Sequence, residues 1–349
     1  GAVGLELAAA GLPGGDGPRF DIGVDLEGCA FAFKSFPVPV AEARGKVYIA
    51  AEPALIRADL LGLEGKAWGS PVKIYGSLSQ ERRSGAPAAM DVTVIGSGIR
   101  ITPALGEILH GSGFLHREVF DLAAAEGRFD VVQRLERGGG AREIAASSEL
   151  QLLGVESASR LLTDRATGVV GTVLASRAGM DILWLEGRIG EAAVTVPRGK
   201  VRLEPESATV ELRATSPSFP VDERIARLMD APVDRVYLDR RTRAAVRLAP
   251  LDLVFRIPRK AGFPSIEFEG SFEALGGETL LGLPVRGIEG PFSIQKGRLR
   301  QGELFVRGNL EGMRMTVSGL PLREITGAFE MTEAGLRIPE GGLTLASGR

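Results

Sequence analysis

One short sequence motif occurs twice near the C-terminal end of this 349-residue chain. Residues 283–294 read Leu-Pro-Val-Arg-Gly-Ile-Glu-Gly-Pro-Phe-Ser-Ile, and 37 residues later 320–331 read Leu-Pro-Leu-Arg-Glu-Ile-Thr-Gly-Ala-Phe-Glu-Met. A fixed period of this size is typical of stacked supersecondary units. Pro-x-Arg predicts a turn, Ile-x-Gly-x-Phe a strand, and the glycine a hairpin closure. A second strand-like piece follows each copy, at 297–299 and at 335–338, so the repeat predicts a β-meander.

Alternating apolar and polar residues predict strands through most of the chain. Phe20, Ile22 and Val24 fall on one face of a strand and Asp21 and Asp25 on the other, which is the period of two of a half-buried strand. The same reasoning predicts strands at 2–7, 30–33, 45–49, 54–63, 72–76, 90–95, 127–132, 180–184, 201–204, 210–214, 233–238, 244–248, 251–257 and 266–269. Pro37-Val38-Pro39 is predicted to be a linker that breaks the pattern.

Helical signals are confined to a few short segments. Residues 103–110 and 117–125 lack the alternation, and three consecutive alanines at 123–125 favour helix. A further helix fits Asp222–Met229, with Ser218 or Asp222 as its N-cap. The glycines at 138–140 predict a flexible joint. The predicted organisation is therefore a list of five segments: a β-groove segment at 1–100, a helix-containing insertion and joint at 101–145, a β-groove segment at 146–218, a short helix at 219–230, and a β-groove segment at 231–349 that holds the repeat at 283–331.

The net charge and the composition of the chain exclude several classes of function. A formal net charge of −2 and a pI near 6.0 provide no basic field, so we expect no nucleic-acid partner. Cys29 is the single cysteine, which excludes an intrachain disulfide and a thiolate metal cluster. The sequence contains no run of about 18 apolar residues, so it predicts no membrane-spanning helix in this chain. The chain begins with Gly rather than Met, and we expect it to be a piece of a longer protein whose anchor lies outside it.

The motifs that could carry chemistry are better explained as structure. Val94-Ile95-Gly96-Ser97-Gly98-Ile99 resembles the start of a dinucleotide fingerprint, but Ile101 stands where the third small residue belongs, so a strand-turn-strand glycine pair is predicted. His110 and His116 lack the spacing of a zinc site. Residues 14–21 resemble a calcium nonapeptide, but Arg19 occupies an aspartate position. The Arg-rich stretch 239–243 is interpreted as a solvated hairpin end between two strands, with contact to a lipid headgroup phosphate or to an acidic group of a partner as the alternative. We expect no enzyme, no cofactor and no metal.

The predicted strands present more apolar surface than the predicted helices can cover. Leaving one large apolar side chain exposed forfeits roughly 1.5–3 kcal/mol, and soluble proteins rarely expose large apolar patches. The apolar faces must therefore meet each other in a closed core such as a sandwich, or fold into a trough that something apolar fills.

Three segments of the chain resemble the AsmA-like superfamily of Gram-negative envelope proteins. They are the repeat, the sequence Gly-Leu-Arg-Ile-Pro-Glu-Gly-Gly-Leu-Thr-Leu at 335–345, and the sequence Ala-Glu-Gly-Arg-Phe-Asp-Val at 125–131. Gly-Lys-Val-x-Ile at 45–49 and Gly-Lys-Val-x-Leu at 199–203 are similar in style. The resemblance implies a mostly β fold: an elongated, curled antiparallel sheet that forms a taco-like open groove, with a few short helices and stacked repeats. It is specific in the C-terminal third, and the family supplies no catalytic residues to carry over.

The resemblance also implies a function and a location. Members of that family are associated with phospholipid transport between the inner and outer membranes and with outer membrane biogenesis. We therefore expect a periplasmic segment, tethered to the inner membrane by a part of the protein that this chain lacks, which shields phospholipid acyl chains and acts with inner- or outer-membrane proteins. About 20 strands spaced about 4.8 Å apart give at most ~100 Å of groove, which fits a segment of a bridge.

Alternation proposes which side chains line the groove. The candidate groove positions are Val201, Leu203, Val210, Leu212, Leu253, Phe255, Ile257, Ile266 and Phe268. A closed, dry core built from the same residues is the alternative interpretation. Two other functions stay open: a structural or assembly β-sandwich or solenoid of an envelope complex without lipid transfer, and a glycan-active enzyme, which would need two carboxylates about 5–10 Å apart in a cleft.

Overall fold

The computed structural model describes residues 2–10, 19–33, 36–82, 86–111, 124–159, 161–176, 178–229, 233–258, 264–300 and 302–345, and it is 78% strand. Its eighteen strands belong to one antiparallel sheet. The strands are β1 Ala2–Ala10, β2 Arg19–Phe33, β3 Phe36–Ala51, β4 Leu55–Ala67, β5 Ser70–Glu81, β6 Ala89–Ile101, β7 Ala125–Arg137, β8 Ala145–Ser157, β9 Ala166–Ser176, β10 Gly179–Ile189, β11 Ala192–Leu203, β12 Ser207–Val221, β13 Arg243–Pro258, β14 Ser265–Leu280, β15 Pro284–Arg300, β16 Glu303–Val317, β17 Leu320–Thr332 and β18 Gly335–Leu345.

Helices are few and short in the described chain. They are α1 at Pro103–Gly111, a 3-10 helix at Glu223–Leu228 and α2 at Val233–Asp239. The predicted fold class, a mostly β protein built on a curled antiparallel sheet with a few short helices, is confirmed. Among the described residues, none of the helices has the length and apolar character that crossing a bilayer requires.

The chain divides into two compact units. The first unit comprises residues 1–117, 126–153 and 173–177, and the second comprises 118–125, 154–172 and 178–349. In the first unit, each strand from β1 to β7 pairs antiparallel with the next. In the second, the same holds from β10 to β18.

One face of the first unit carries its apolar core. Residues directly opposite each other in antiparallel strands point to the same face, so the register converts single strands into rows that run across the sheet. One such row reads Leu5, Val24, Val47, Leu60, Gly76, Val92 and Leu135 from β1 to β7. Its members on β4, β6 and β7 are buried, whereas Leu5 on β1 is 74% exposed. Helix α1 adds Leu105 to a smaller cluster with Ile99 and Phe129.

The repeated phrase forms strands, but not the predicted turn, strand and closure. Residues 284–300 are the single strand β15, which includes the piece at 297–299 that was expected to be separate. Residues 320–332 are β17. Pro284 is the first residue of its strand, where the missing N–H is tolerated. Gly290 and Gly327, at equivalent places in the two copies, adopt φ 115° and 137°, a conformation that favours glycine, and they lie inside continuous strands and not at the predicted hairpin closure.

Other predicted breaks lie inside longer, continuous strands. Pro37–Pro39 lies within β3, and the glycine pair at 96–98 lies within β6. The register between β6 and β7 shifts between Gly96 and Ile99, and the Gly98 N–H donates to Asp130 Oδ1 at 2.7 Å. The strands predicted at 244–248 and 251–257 are one strand, β13, with a register shift where Pro250 removes a donor.

The helix predictions are partly correct. Helix α1 matches the prediction at 103–110, and the 3-10 helix matches the prediction at 222–229 with Asp222 as its N-cap. Residues 117–123 of the helix predicted at 117–125 lie outside the described residues. The helix prediction is wrong for Ala125, which begins β7.

Candidate functional site

The predicted groove residues lie on four adjacent strands of the second unit, β11 to β14. Eight of the nine belong to one apolar cluster: Leu203, Val210, Leu212, Leu253, Phe255, Ile257, Ile266 and Phe268. The ninth, Val201, pairs directly with Val210. We call the face of the second unit that carries these side chains the inner face. Alternation therefore placed all nine positions on one face of the sheet.

The register aligns the inner face into rows that cross the strands. Row A consists of Met180, Val201, Val210, Phe255, Ile266, Leu299 and Leu304. Row B consists of Ile182, Gly199, Leu212, Leu253, Phe268, Gly297, Val306, Met331 and Leu336. Row C consists of Ala214, Leu251, Gly270, Ile294, Gly308 and Phe329. All three rows are made of apolar side chains and glycines.

Row B is long enough to accommodate hydrocarbon. It crosses nine strands, from β10 to β18, which at about 4.8 Å between strands is about 38 Å. One leaflet of a bilayer holds about 15 Å of hydrocarbon, half of the ~30 Å core. An acyl chain that lay along row B would therefore meet apolar protein surface over its whole length.

The rows differ in burial, and this divides the predicted positions. Val201, Phe255 and Ile266 of row A and the neighbouring Ile257 are buried. The predicted positions Leu203, Val210, Leu212, Leu253 and Phe268 are half-buried. Row B is thus the more accessible line, because most of its large side chains keep part of their surface open. Four of the nine predicted residues belong to a packed core, and five border a surface that another molecule can touch.

Glycines on the inner face accommodate the largest side chains of the neighbouring strands. A Cβ on Gly297 would lie 2.5 Å from Phe268 Cδ2 and closer still to two other ring carbons, so this ring lies flat against the glycine. Phe329 lies in the same way against Gly308, and Leu212 against Gly199. Sequence reasoning missed these glycines as part of the site. The available signal was a glycine at an inward position of an otherwise apolar strand, which marks close approach of a neighbouring group.

The outer face of the second unit is charged. Cross-strand ion pairs join Arg256 to Glu267 at 2.8 Å and Arg202 to Glu211 at 3.2 Å. Arg213 and Asp252 lie 3.8 Å apart. These side chains are more than a third exposed, so each pair adds little stability. Their consequence is amphipathicity, because one face of the sheet is solvated and the other is hydrocarbon-like.

A helical segment covers part of the inner face. We call residues 222–229 and 233–242 the cap. The strand predicted at 233–238 is wrong, since these residues form α2. Val233 is only 1% exposed, and it packs in the same apolar cluster as Ile266 and Leu299, with Leu228 and Met229 beside it. The Arg-rich stretch at 239–243 consequently follows a helix and does not join two strands.

Polar contacts hold the cap at its margins. Arg224 lies between two carboxylates, with Nη1 2.8 Å from Asp164 Oδ2 and Nη2 2.6 Å from Asp222 Oδ2. Hydrogen bonds from the Arg165 N–H and from Arg224 lower the pKa of Asp164, and those from Arg224 lower the pKa of Asp222. The Tyr237 hydroxyl donates to the Asp222 carbonyl at 3.0 Å, and burial raises the pKa of this phenol. These contacts are structural, because both carboxylates are already paired with the guanidinium of Arg224.

The described residues offer no arrangement for metal chemistry. Within those parts of the chain, no group of three or more His, Cys, Asp or Glu side chains could hold an ion. His116 and most of the calcium-like segment at 14–21 lie outside the described residues, and His110 lies on α1.

No protein-family model matches this chain, and neither a curated protein nor a solved structure matches it. The functional argument consequently depends on the geometry of the inner face.

Proposed function

We propose that this chain is a segment of an AsmA-like envelope protein whose inner face shields phospholipid acyl chains during transport between the inner and outer membranes. The observation that carries the proposal is row B, a line of apolar side chains and glycines across nine strands in which most of the large side chains keep part of their surface open. The mechanism is passive. The inner face solvates hydrocarbon, and the charged outer face keeps the sheet in water.

The electrostatics of the two faces support this proposal. A phospholipid needs an apolar surface for its acyl chains and access to water for its headgroup. In the second unit the apolar rows and the ion pairs occupy opposite sides of the same strands, as Leu253 and its neighbour Asp252 illustrate. An acyl chain lying on row B would cover side chains that otherwise contact water, which at about 25 cal/mol per Å² of apolar area favours binding.

An assembly module without lipid transfer is the second candidate. Its support comes from β1 in the first unit, where Val3, Leu5 and Leu7 are 55%, 74% and 69% exposed. Apolar surface of this kind marks protein or membrane interaction sites. A module of this type would bind a protein through β1, and changes to row B would not affect its activity.

Lipid uptake by paired variants tests the proposal. Purified protein is mixed with phosphatidylethanolamine and phosphatidylglycerol vesicles, separated from them, and its bound phospholipid is measured by mass spectrometry. Leu253→Asn places an amide on row B, and Val254→Asn places the same amide on the outer face of the same strand. An amide without a partner against hydrocarbon costs about 1–3 kcal/mol, so uptake should fall about tenfold for Leu253→Asn and stay unchanged for Val254→Asn. Equal uptake by both variants, or none by the unaltered protein, would refute the proposal.

A further inference from the structure

The cap is an insertion that the sheet does not need for its connectivity. Val221 at the end of β12 pairs directly with Ala244 at the start of β13. A two-residue loop can connect strands in this register. The second unit uses such short loops elsewhere, as between the paired residues Ile189 and Ala192 and between Val317 and Leu320. Between β12 and β13, by contrast, the chain leaves the sheet and returns over the inner face.

The cap depends on the inner face for its structure. Its 3-10 helix and α2 have six and seven residues, and isolated helices shorter than about 12–15 residues are marginal in water. Their order therefore comes from packing, chiefly from Val233, Leu228 and Met229 in the apolar cluster. These contacts are non-directional, so hydrocarbon can replace them without leaving polar groups unpaired.

Other contacts of the cap are polar. Arg224 reaches Asp164, and Arg227 Nη1 donates to the Thr163 carbonyl at 3.4 Å. On another side, Arg240 Nη2 donates to the Thr332 carbonyl of β17 at 3.3 Å. The side chains of Arg224 and Asp164 are 30% and 35% exposed, so water can take over their hydrogen bonds when they separate. We call these contacts the latch.

We infer that the cap occupies an acyl-chain site on the inner face of the ligand-free protein and is displaced when a phospholipid binds there. This inference rests on the proposed function, and it adds that the hydrocarbon extends from row B into the cluster of Ile266, Leu299 and Phe329 in which Val233 now packs. The apolar contacts of the cap and those of an acyl chain exclude each other, so the cap competes with the ligand and the latch sets the strength of that competition.

Hydrogen–deuterium exchange with and without the same vesicles tests the displacement. Protection is followed at the cap amides, such as the Met229 N–H that donates to the Ala226 carbonyl at 3.0 Å, and at the strands β13 and β14. We expect lipid to accelerate exchange in the cap about tenfold while both strands stay protected, because only the cap opens. Lipid uptake with unchanged exchange in the cap would overturn the inference and leave the proposed function intact.

Latch variants supply the converse test. Arg224→Ala should accelerate cap exchange about tenfold without lipid, as expected when a partly exposed charged hydrogen bond is lost, and it should increase lipid uptake. Arg227→Ala, which removes one weaker bond, should act in the same direction to a smaller extent. Arg256→Ala removes the 2.8 Å pair with Glu267 on the outer face and should change neither quantity. A freed cap with unchanged uptake would overturn the inference alone, whereas no uptake by any variant would overturn the proposed function as well.

Discussion

The contact between Phe268 and Gly297 makes a quantitative prediction about how the inner face is packed. In Gly297→Ala the new Cβ would lie 2.5 Å from Phe268 Cδ2, whereas carbon atoms normally approach to about 3.5–4.0 Å. The ring must therefore retreat by about 1 Å into side chains that are already packed. Overpacking of this size costs about 1–3 kcal/mol, so we expect the free energy of unfolding of the second unit to fall by that amount.

The assay is urea unfolding followed by the fluorescence of Trp184, which lies on β10 in the second unit. Gly138→Ala is the matched control, because a Cβ there meets nothing within 4 Å and the glycine has no left-handed φ. Since Gly138 belongs to the first unit, its unfolding is followed by Trp68, which packs against the core of that unit. The control should stay within about 0.5 kcal/mol of the unaltered protein or gain slightly from the reduced freedom of the unfolded chain.

A double-mutant cycle decides whether the ring is the cause. In a Phe268→Ala background the space above the backbone is empty, so adding Gly297→Ala should cost less than about 0.5 kcal/mol, which makes the coupling between the two changes at least about 0.5 kcal/mol. If Gly297→Ala is as stable as the unaltered protein, or costs the same with and without the ring, the described packing of row B is wrong.

Two further predictions concern the charged groups. The pKa values of Asp164 and Asp222 are lowered in the folded protein, so the stability that these groups contribute is complete above the ordinary aspartate pKa of about 4 and is lost as the pH falls through the lowered values. The protection of the cap amides, measured against the intrinsic exchange rate at each pH, should therefore fall below about pH 4 before far-ultraviolet circular dichroism changes, and Asp164→Asn should weaken that dependence. Arg256→Gln on the outer face should reduce stability by less than about 1 kcal/mol in urea unfolding, since the pair with Glu267 is exposed; a larger loss would mean that the outer face is not a solvated surface.

Alternation predicted the strands and the face of the sheet, but not which of the predicted segments join into one continuous strand. The inward positions of β13 follow from its pattern, because Leu253, Phe255 and Ile257 are separated by outward residues. The pattern did not reveal that Pro250 lies within one continuous strand, since a bulge depends on the pairing of both neighbours. The prediction of a turn, a strand and a hairpin closure in the repeat was wrong for the same reason, because the sequence around Gly290 is compatible with either a turn or a continuous strand.

The cap was missed because local preference and tertiary packing disagree. Val233 and Val236 are β-branched and favour a strand, which agrees with the strand that the sequence pattern predicts at 233–238. In the fold these residues form a short helix whose stability comes from burial of Val233 and from the bond between Tyr237 and the Asp222 carbonyl. The cap covers some of the predicted groove positions and leaves others accessible. The difference between buried Phe255 and half-buried Phe268 could therefore not be derived from the sequence of either strand alone.

Photo-cross-linking to lipid tests most directly whether the inner face holds hydrocarbon. A benzophenone amino acid is placed at position 253 on row B or at position 254 on the outer face, and each protein is irradiated with vesicles that contain radiolabelled phospholipid. The two positions share a strand and differ in the face to which they point. We predict labelled lipid on the protein substituted at 253 and none above background on the one substituted at 254. Equal labelling at both positions, or labelling at 254 alone, would contradict the account.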